Sequence, residues 1–199
     1  MDPTIFDEVH RFWFGALDPD RFPGDKIRLW FEGPAAFDAE IRERYADTID
    51  RVDQEGVEIA TLSPRQKVGL VILLDQFPRN IHRTSGAAFE HDHEARVAAR
   101  AVLKHGLLTF HPAEQLFIAL PFQHSEDVGD QDLAVFMAAQ SAVAAGPGFV
   151  DGMRMALDFA TKHRDLIRKF GRFPHRNIMI GRETTPDEAA FMKEHGRGY

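Results

Sequence analysis

The sequence predicts an all-α protein, and three observations carry that prediction. Proline stands behind a potential capping side chain at Asp2-Pro3, Ser63-Pro64, His111-Pro112 and Thr185-Pro186. Proline suits the first position of a helix, where its missing N–H would have no partner anyway. Glycine follows helical patterns at Gly15, Gly56, Gly106 and Gly146, where it can close a helix in the left-handed conformation. Between these marks, apolar residues recur every three or four positions, which is the helical period. Signals for strands are thin: Val57 to Ala60 alternates briefly, and no Asn-Gly hairpin turn occurs. The expectation is a compact array of about nine or ten helices joined by short loops.

The elements follow in order. Asp2-Pro3 opens a helix over 3–14, ended by Gly15. A short helix over 25–31 carries Leu29-Trp30-Phe31, which with Phe12-Trp13-Phe14 would pin the N-terminal helices to the core. Gly33-Pro34 opens 34–54, where Phe37, Ile41, Tyr45, Ile49 and Val52 form one stripe. Ser63 and Gln66 have capping-box spacing and open 64–77, with a stop at Pro78. Val68 to Leu74 is apolar nearly all round, so that helix should be buried. Residues 92–105 place Val97, Ala101 and His105 on one stripe before Gly106. His111-Pro112 starts 112–120, and 130–145 runs up to Gly146. Met153, Leu157, Ala160 and Ile167 define 148–169. Pro174 opens 174–180, and Thr185 with Glu188 caps 186–194. No low-complexity linker divides the chain, so a single helical domain over 1–199 is expected. The helix pairs keep no strict repeat period.

Composition narrows the function classes. A chain of 199 residues, 44% hydrophobic and 28% charged, is ordinary globular material and long enough to bury a core. It has no cysteine, which excludes disulfides, thiolate metal sites and a cysteine nucleophile. The start Met1-Asp2-Pro3-Thr4 has none of the marks of a signal peptide. The longest strongly apolar run, Val68 to Leu74, falls far short of the ~20 residues of a membrane span. The expectation is a soluble cytoplasmic protein with no membrane partner.

The net charge is −7, but it is unevenly spread. Between Phe159 and Arg182 stand Lys162, Arg164, Arg168, Lys169, Arg172, Arg176 and Arg182 against Asp165 alone. Arginine outnumbers lysine 18 to 6, and its planar fork suits carboxylate and phosphate. The plain alternative is a solvated helix face paired with acidic neighbours. Nucleic acid is not expected, since the chain is acidic and carries no recognised binding motif.

Three polar segments stand out at predicted helix ends. In Asp75-Gln76-Phe77-Pro78-Arg79-Asn80 a polar cluster emerges from an apolar helix, and Asp75 either closes the turn with Arg79 or faces a ligand. In Leu120-Pro121-Phe122-Gln123-His124-Ser125-Glu126-Asp127, His124 or Glu126 would serve as acid or base. Ser125 reads as the cap of the next helix. Neighbours in sequence do not build a serine triad, and there is no Gly-x-Ser-x-Gly elbow. The third segment follows His163 and runs Phe170-Gly171-Arg172-Phe173-Pro174-His175-Arg176-Asn177. There Arg172, before a helix start at Pro174, would make an anion site, while His163 lies near the buried stripe. Segments 75–81 and 171–178 also resemble each other: both carry Phe-Pro and then Arg-Asn-Ile, and they would face one another.

Metal ligation is the weaker reading. His91-Asp92-His93-Glu94 begins a helix, with Asp92 as its cap, and there is no His-Glu-x-x-His. His124, Glu126, His163 and His175 would have to converge in space to hold a metal. No metal and no cofactor are expected.

Together with Phe12-Trp13-Phe14-Gly15 and Leu73-Leu74, these three segments resemble the bacterial domain-of-unknown-function family numbered 924. The matches run in order from residue 12 to about 188. The resemblance implies an all-helical, tetratricopeptide-like α-α superhelix and implies no activity. The residues themselves suggest a small anionic ligand, carboxylate or phosphate, in an interhelical cleft, with hydrolase-type acid/base chemistry. His124, Glu126, His175 and Asp75 would carry the chemistry. Gln76, Arg79, Asn80, His163, Arg172, Arg176 and Asn177 would bind. The alternative is a module that grips an acidic peptide without catalysis.

Overall fold

The computed structural model describes residues 1–196, with Asp25 placed by its backbone alone. The elements are α1 (Thr4–Phe14), α2 (Gly24–Glu32), α3 (Ala35–Glu55), α4 (Pro64–Val71), α5 (Phe77–Ile81), α6 (Asp92–Leu103), α7 (Pro112–Gln123), α8 (Val128–Ala144), α9 (Val150–Phe170) and α10 (Pro186–His195). Short 3₁₀ turns connect several of them, and no strand occurs among the described residues. None of these helices is long and apolar enough to cross a membrane.

The capping signals in the sequence are used as written. Ser63 with Gln66 and Thr185 with Glu188 form capping boxes, and His111 with Glu114 forms a third. α1 packs on α4, α4 on α6, α7 on α8, and α8 on α9, giving a compact array. The α1–α4 contact is backbone against backbone. A Cβ at Gly69 would stand 2.0 Å from the carbonyl oxygen of Phe6, so only glycine fits there. One continuous apolar core runs from α1 to α8. Trp13 anchors it: the ring stacks on Trp30 at 6.1 Å and meets Phe117 edge-on at 5.4 Å. A smaller cluster of Leu166, Ile167 and Phe173, with Phe170 and Phe191, holds the C-terminal segment against α9.

The structure departs from the sequence reading at its prolines. The helix begun at Pro64 does not stop at Pro78; it runs on to Ile81 through a π-turn at Ile72–Gln76. Proline removes one N–H and its ring presses on the carbonyl four residues back. Widening the turn, with the Phe77 N–H donating to Ile72 O, lets the chain pass without ending the helix. α7 likewise continues through Pro121 to Gln123 rather than ending at residue 120. In contrast, the helix expected over 174–180 is only a 3₁₀ turn at Pro174–Arg176. Gly146 takes no left-handed conformation; α8 ends in an extended Ala145, and Gly146 opens the turn into α9.

Candidate functional site

Asp75 sits inside the π-turn with no solvent exposure. Its Oδ1 accepts from His124 Nδ1 at 2.8 Å, and its Oδ2 accepts from Gln76 Nε2 at 2.6 Å. Arg79 Nη1 lies 3.3 Å from Oδ1 and donates to the Asp75 carbonyl at 2.8 Å. Burial alone would push the Asp75 carboxyl up, but His124 and Arg79 outweigh it and hold it at about 2. The carboxylate only accepts, so His124 Nδ1 carries the hydrogen and Nε2 is left as an acceptor. That Nε2 has no protein partner and is not sealed from solvent. Burial, then Arg79, push the His124 ring below its ordinary value in spite of Asp75. At neutral pH the ring is therefore a base with an unpartnered Nε2 and a buried carboxylate behind it.

Two guanidiniums flank this pair. Arg79 Nη2 lies 2.8 Å from Asp92 Oδ1, and Arg176 Nη1 lies 3.5 Å from Asp92 Oδ2. Arg176 is sandwiched between the rings of Phe89 (4.4 Å) and Phe173 (4.6 Å). Its Nη2 donates to His124 O at 2.8 Å. Its Nε is buried without a partner. Burial and the nearby Arg79 bring Arg176 down to about 10, still charged at neutral pH.

The third segment closes over these residues. Glu126 takes both arms of Arg182, at 2.7 and 2.9 Å, and accepts the Phe173 N–H at 2.9 Å. Phe173 is the hub: His163 meets its ring edge-on at 5.7 Å, and His175 lies 5.5 Å away. Burial is the main cause that lowers both imidazoles to about 4, with Arg176 adding to it in each case. His175 Nδ1 is buried without a partner. Clefts of about 530, 340 and 400 Å³ lie elsewhere, and none is lined by a residue of this cluster. The concentration of displaced titrations, not cleft volume, marks this place. Among the described residues no three His, Asp or Glu side chains are arranged to hold a metal ion.

Of the residues singled out in the sequence, Asp75, Gln76, Arg79, His124, Glu126, His163, His175 and Arg176 share this network. Three do not aim into it. Asn80 donates to Asp38 at 2.7 Å, tying α5 to α3. Asn177 donates to Glu188 at 3.1 Å. Arg172 forks onto the same Glu188 at 2.6 and 2.9 Å. The anion site expected before Pro174 is thus filled by the chain's own carboxylates, Glu188 on Arg172 and Glu126 on the Phe173 N–H. Asp92 is not the cap of α6, since His91 takes the N-cap position without a side-chain bond. Nor does Ser125 cap α8; Asp127 does, accepting from the Asp130 N–H at 2.9 Å. The sequence reading missed Asp92 as the bridge between arginines, and it missed Phe89 and Phe173 as their platforms. Arg182 was legible only as one more charge in the basic segment.

The pattern of the family described as "Bacterial protein of unknown function (DUF924)" matches residues 9–196. The chain belongs to this family. A solved protein of unknown function from Agrobacterium tumefaciens is similar to this DUF924 chain. It is 30% identical, with 96% of this chain and 98% of that one covered and a TM-score of 0.78. No curated protein matches the chain.

Proposed function

We propose that this DUF924 protein binds a small anionic molecule beside the Asp75–His124 pair and carries out hydrolase-type acid/base chemistry on it. One observation supports this above the rest: His124 Nδ1 is held by a fully buried carboxylate while Nε2 stays open. That is how a general base is oriented. His124 would take a proton from water or substrate, and Asp75 would steady the imidazolium that forms. Arg176, with Arg79 behind it, would meet the carboxylate or phosphate. His175 and Glu126 support this as positioning groups, since His175 Nδ1 is buried without a partner and Glu126 is committed to Arg182. A cysteine-free chain suits a cytoplasmic setting.

The test uses the full chain. Acetate and inorganic phosphate, at matched ionic strength, are expected to raise its thermal midpoint in a saturable way. Arg176→Lys, which loses the planar fork, should blunt that rise. Hydrolysis of a panel of carboxylate-bearing esters should fall by about 10²-fold or more in His124→Asn. Anion stabilisation should survive in that variant. Equal midpoint shifts in Arg176→Lys, with no hydrolysis above the His124→Asn background, would overturn the reading. Saturable binding of an acidic peptide with no turnover would favour the tetratricopeptide-like binding module instead.

A further inference from the structure

Three imidazoles here leave Nε2 unpartnered and unsealed, His124, His163 and His175, and in two of them a partner on Nδ1 makes that nitrogen an acceptor. His124 Nε2 is one, for the reason given above. His163 on α9 is the other. Its Nδ1 lies 2.8 Å from the carbonyl oxygen of Phe159, one turn back on the same helix. A carbonyl only accepts, so Nδ1 carries the hydrogen and the neutral ring presents Nε2 as a bare lone pair. That nitrogen has no protein partner and is not sealed from solvent. The ring stands edge-on to Phe173, whose own ring lies under Arg176 at 4.6 Å. His163 and Arg176 therefore sit on one aromatic platform, an acceptor beside a cation.

The two histidines differ in what stands behind them. His124 has a carboxylate, which strengthens it as a base. His163 has only a carbonyl behind it and the Arg176 cation near it, and burial holds it neutral at pH 7. It cannot protonate a leaving group there and is a poor base, but it is a well-fixed acceptor. An acceptor in a partly desolvated place penalises any ligand that brings no hydrogen to it. Inorganic phosphate and a bare carboxylate present chiefly acceptors. A carboxylate with a hydroxyl or amide N–H beside it presents both charges and hydrogens in the required order.

We infer that His163 is a specificity-determining residue, and that the site takes a carboxylate bearing an adjacent hydrogen-bond donor, a hydroxy acid or an N-acyl amino acid. The inference rests on the anion-site reading above. The hydroxyl or N–H donates to His163 Nε2 while the carboxylate meets Arg176.

The experiment titrates the full chain, labelled with ¹⁵N in its histidine rings, with acetate, glycolate and inorganic phosphate at pH 7.5. Glycolate is expected to bind roughly tenfold more tightly than acetate, the gain of one hydrogen bond. Glycolate, and not acetate, should move the His163 Nε2 resonance. His163→Phe keeps a ring against Phe173 and should bring glycolate to within about twofold of acetate. Equal affinities for glycolate and acetate in the wild-type chain would overturn the inference while leaving the anion site standing, and so would a preference that survives in His163→Phe. Failure of all three probes to bind would remove the anion site and this inference together.

Discussion

Arg79 and Arg176 reach one carboxylate, Asp92, from two segments that repeat each other in sequence. Phe77-Pro78-Arg79-Asn80-Ile81 and Phe173-Pro174-His175-Arg176-Asn177-Ile178 put their arginines over the same ring, Phe89. Two cations so close repel, and Asp92 between them offsets that repulsion. Asp92 thus stands where the carboxylate of a ligand would stand. Asp92→Asn should lower stability by about 1–3 kcal/mol, because two partly buried guanidiniums lose their charged partner. The same change should strengthen acetate and phosphate binding, because the internal competitor is gone. Urea midpoints with and without phosphate measure both effects. Weaker anion binding in Asp92→Asn would mean that Asp92 organises the arginines rather than competing for them.

Asp75 is the most exposed to mutation of all the polar residues here, because it is wholly buried and has three partners. Removing one member of a buried ionic set strands the others. Asp75→Ala should cost about 3–5 kcal/mol. Asp75→Asn, which keeps the shape and one acceptor, should cost less. The histidine then loses the group that fixes its tautomer, so His124 ring resonances should broaden or double in Asp75→Asn. A single sharp His124 ring in that variant would show that the amide oxygen alone suffices to set its tautomer.

Stability should fall in two stages on acidification. His163 and His175 are held near 4, by burial first, against an unfolded value of about 6.5. Between those values the unfolded chain binds more protons than the folded one. Stability is therefore full above about pH 6.5 and is lost as pH falls toward 4. Asp75 and Glu188 are held at about 2, so their contributions are present above about pH 4 and are lost as pH falls through 2. Urea midpoints from pH 7.5 down to about 2 trace both stages. His175→Phe should flatten the upper one; an unchanged slope between pH 7 and 5 in that variant would remove His175 from it.

Most of the fold was legible because its signals are local. Ser63-Pro64 with Gln66, Thr185-Pro186 with Glu188, and Gly15 and Gly56 satisfy helix ends with neighbours a few positions away. Pro78 misled because a π-turn absorbs it, and that choice is made by the packing of a buried helix rather than by the dipeptide. The site was half legible. Polar residues at the ends of apolar helices pointed to Asp75, His124 and Arg176, and the two Phe-Pro segments did converge. Asp92 and Glu126 were not legible in their roles, because their partners lie on other elements, from 13 to 84 positions away between Arg79 and Arg176 for Asp92 alone. No periodicity encodes such a pairing. Arg172 misled for the opposite reason: the anion it awaits is supplied by Glu188 from α10.

The segment from Gly171 to Thr185 carries Arg176 and His175, and Glu126 is one of its polar ties. The carboxylate holds Arg182 through both oxygens and the Phe173 N–H through one. Both side chains keep about a quarter of their surface in water, 28% for Glu126 and 24% for Arg182. The pair should then be worth only about 1 kcal/mol to global stability. Its local effect should be larger, since it and the ties of Arg176 to His124 O and Asp92 fix the segment to α6 and α7, and such a segment opens below the global unfolding energy. Glu126→Gln should leave the urea midpoint nearly unchanged while speeding tryptic cleavage at Arg172, Arg176 and Arg182. Phosphate should protect the wild-type chain from that cleavage, because Arg176 is the shared contact. Cleavage no faster in Glu126→Gln than in the wild-type chain would mean that Phe173, buried against α9, holds the segment without the ion pair.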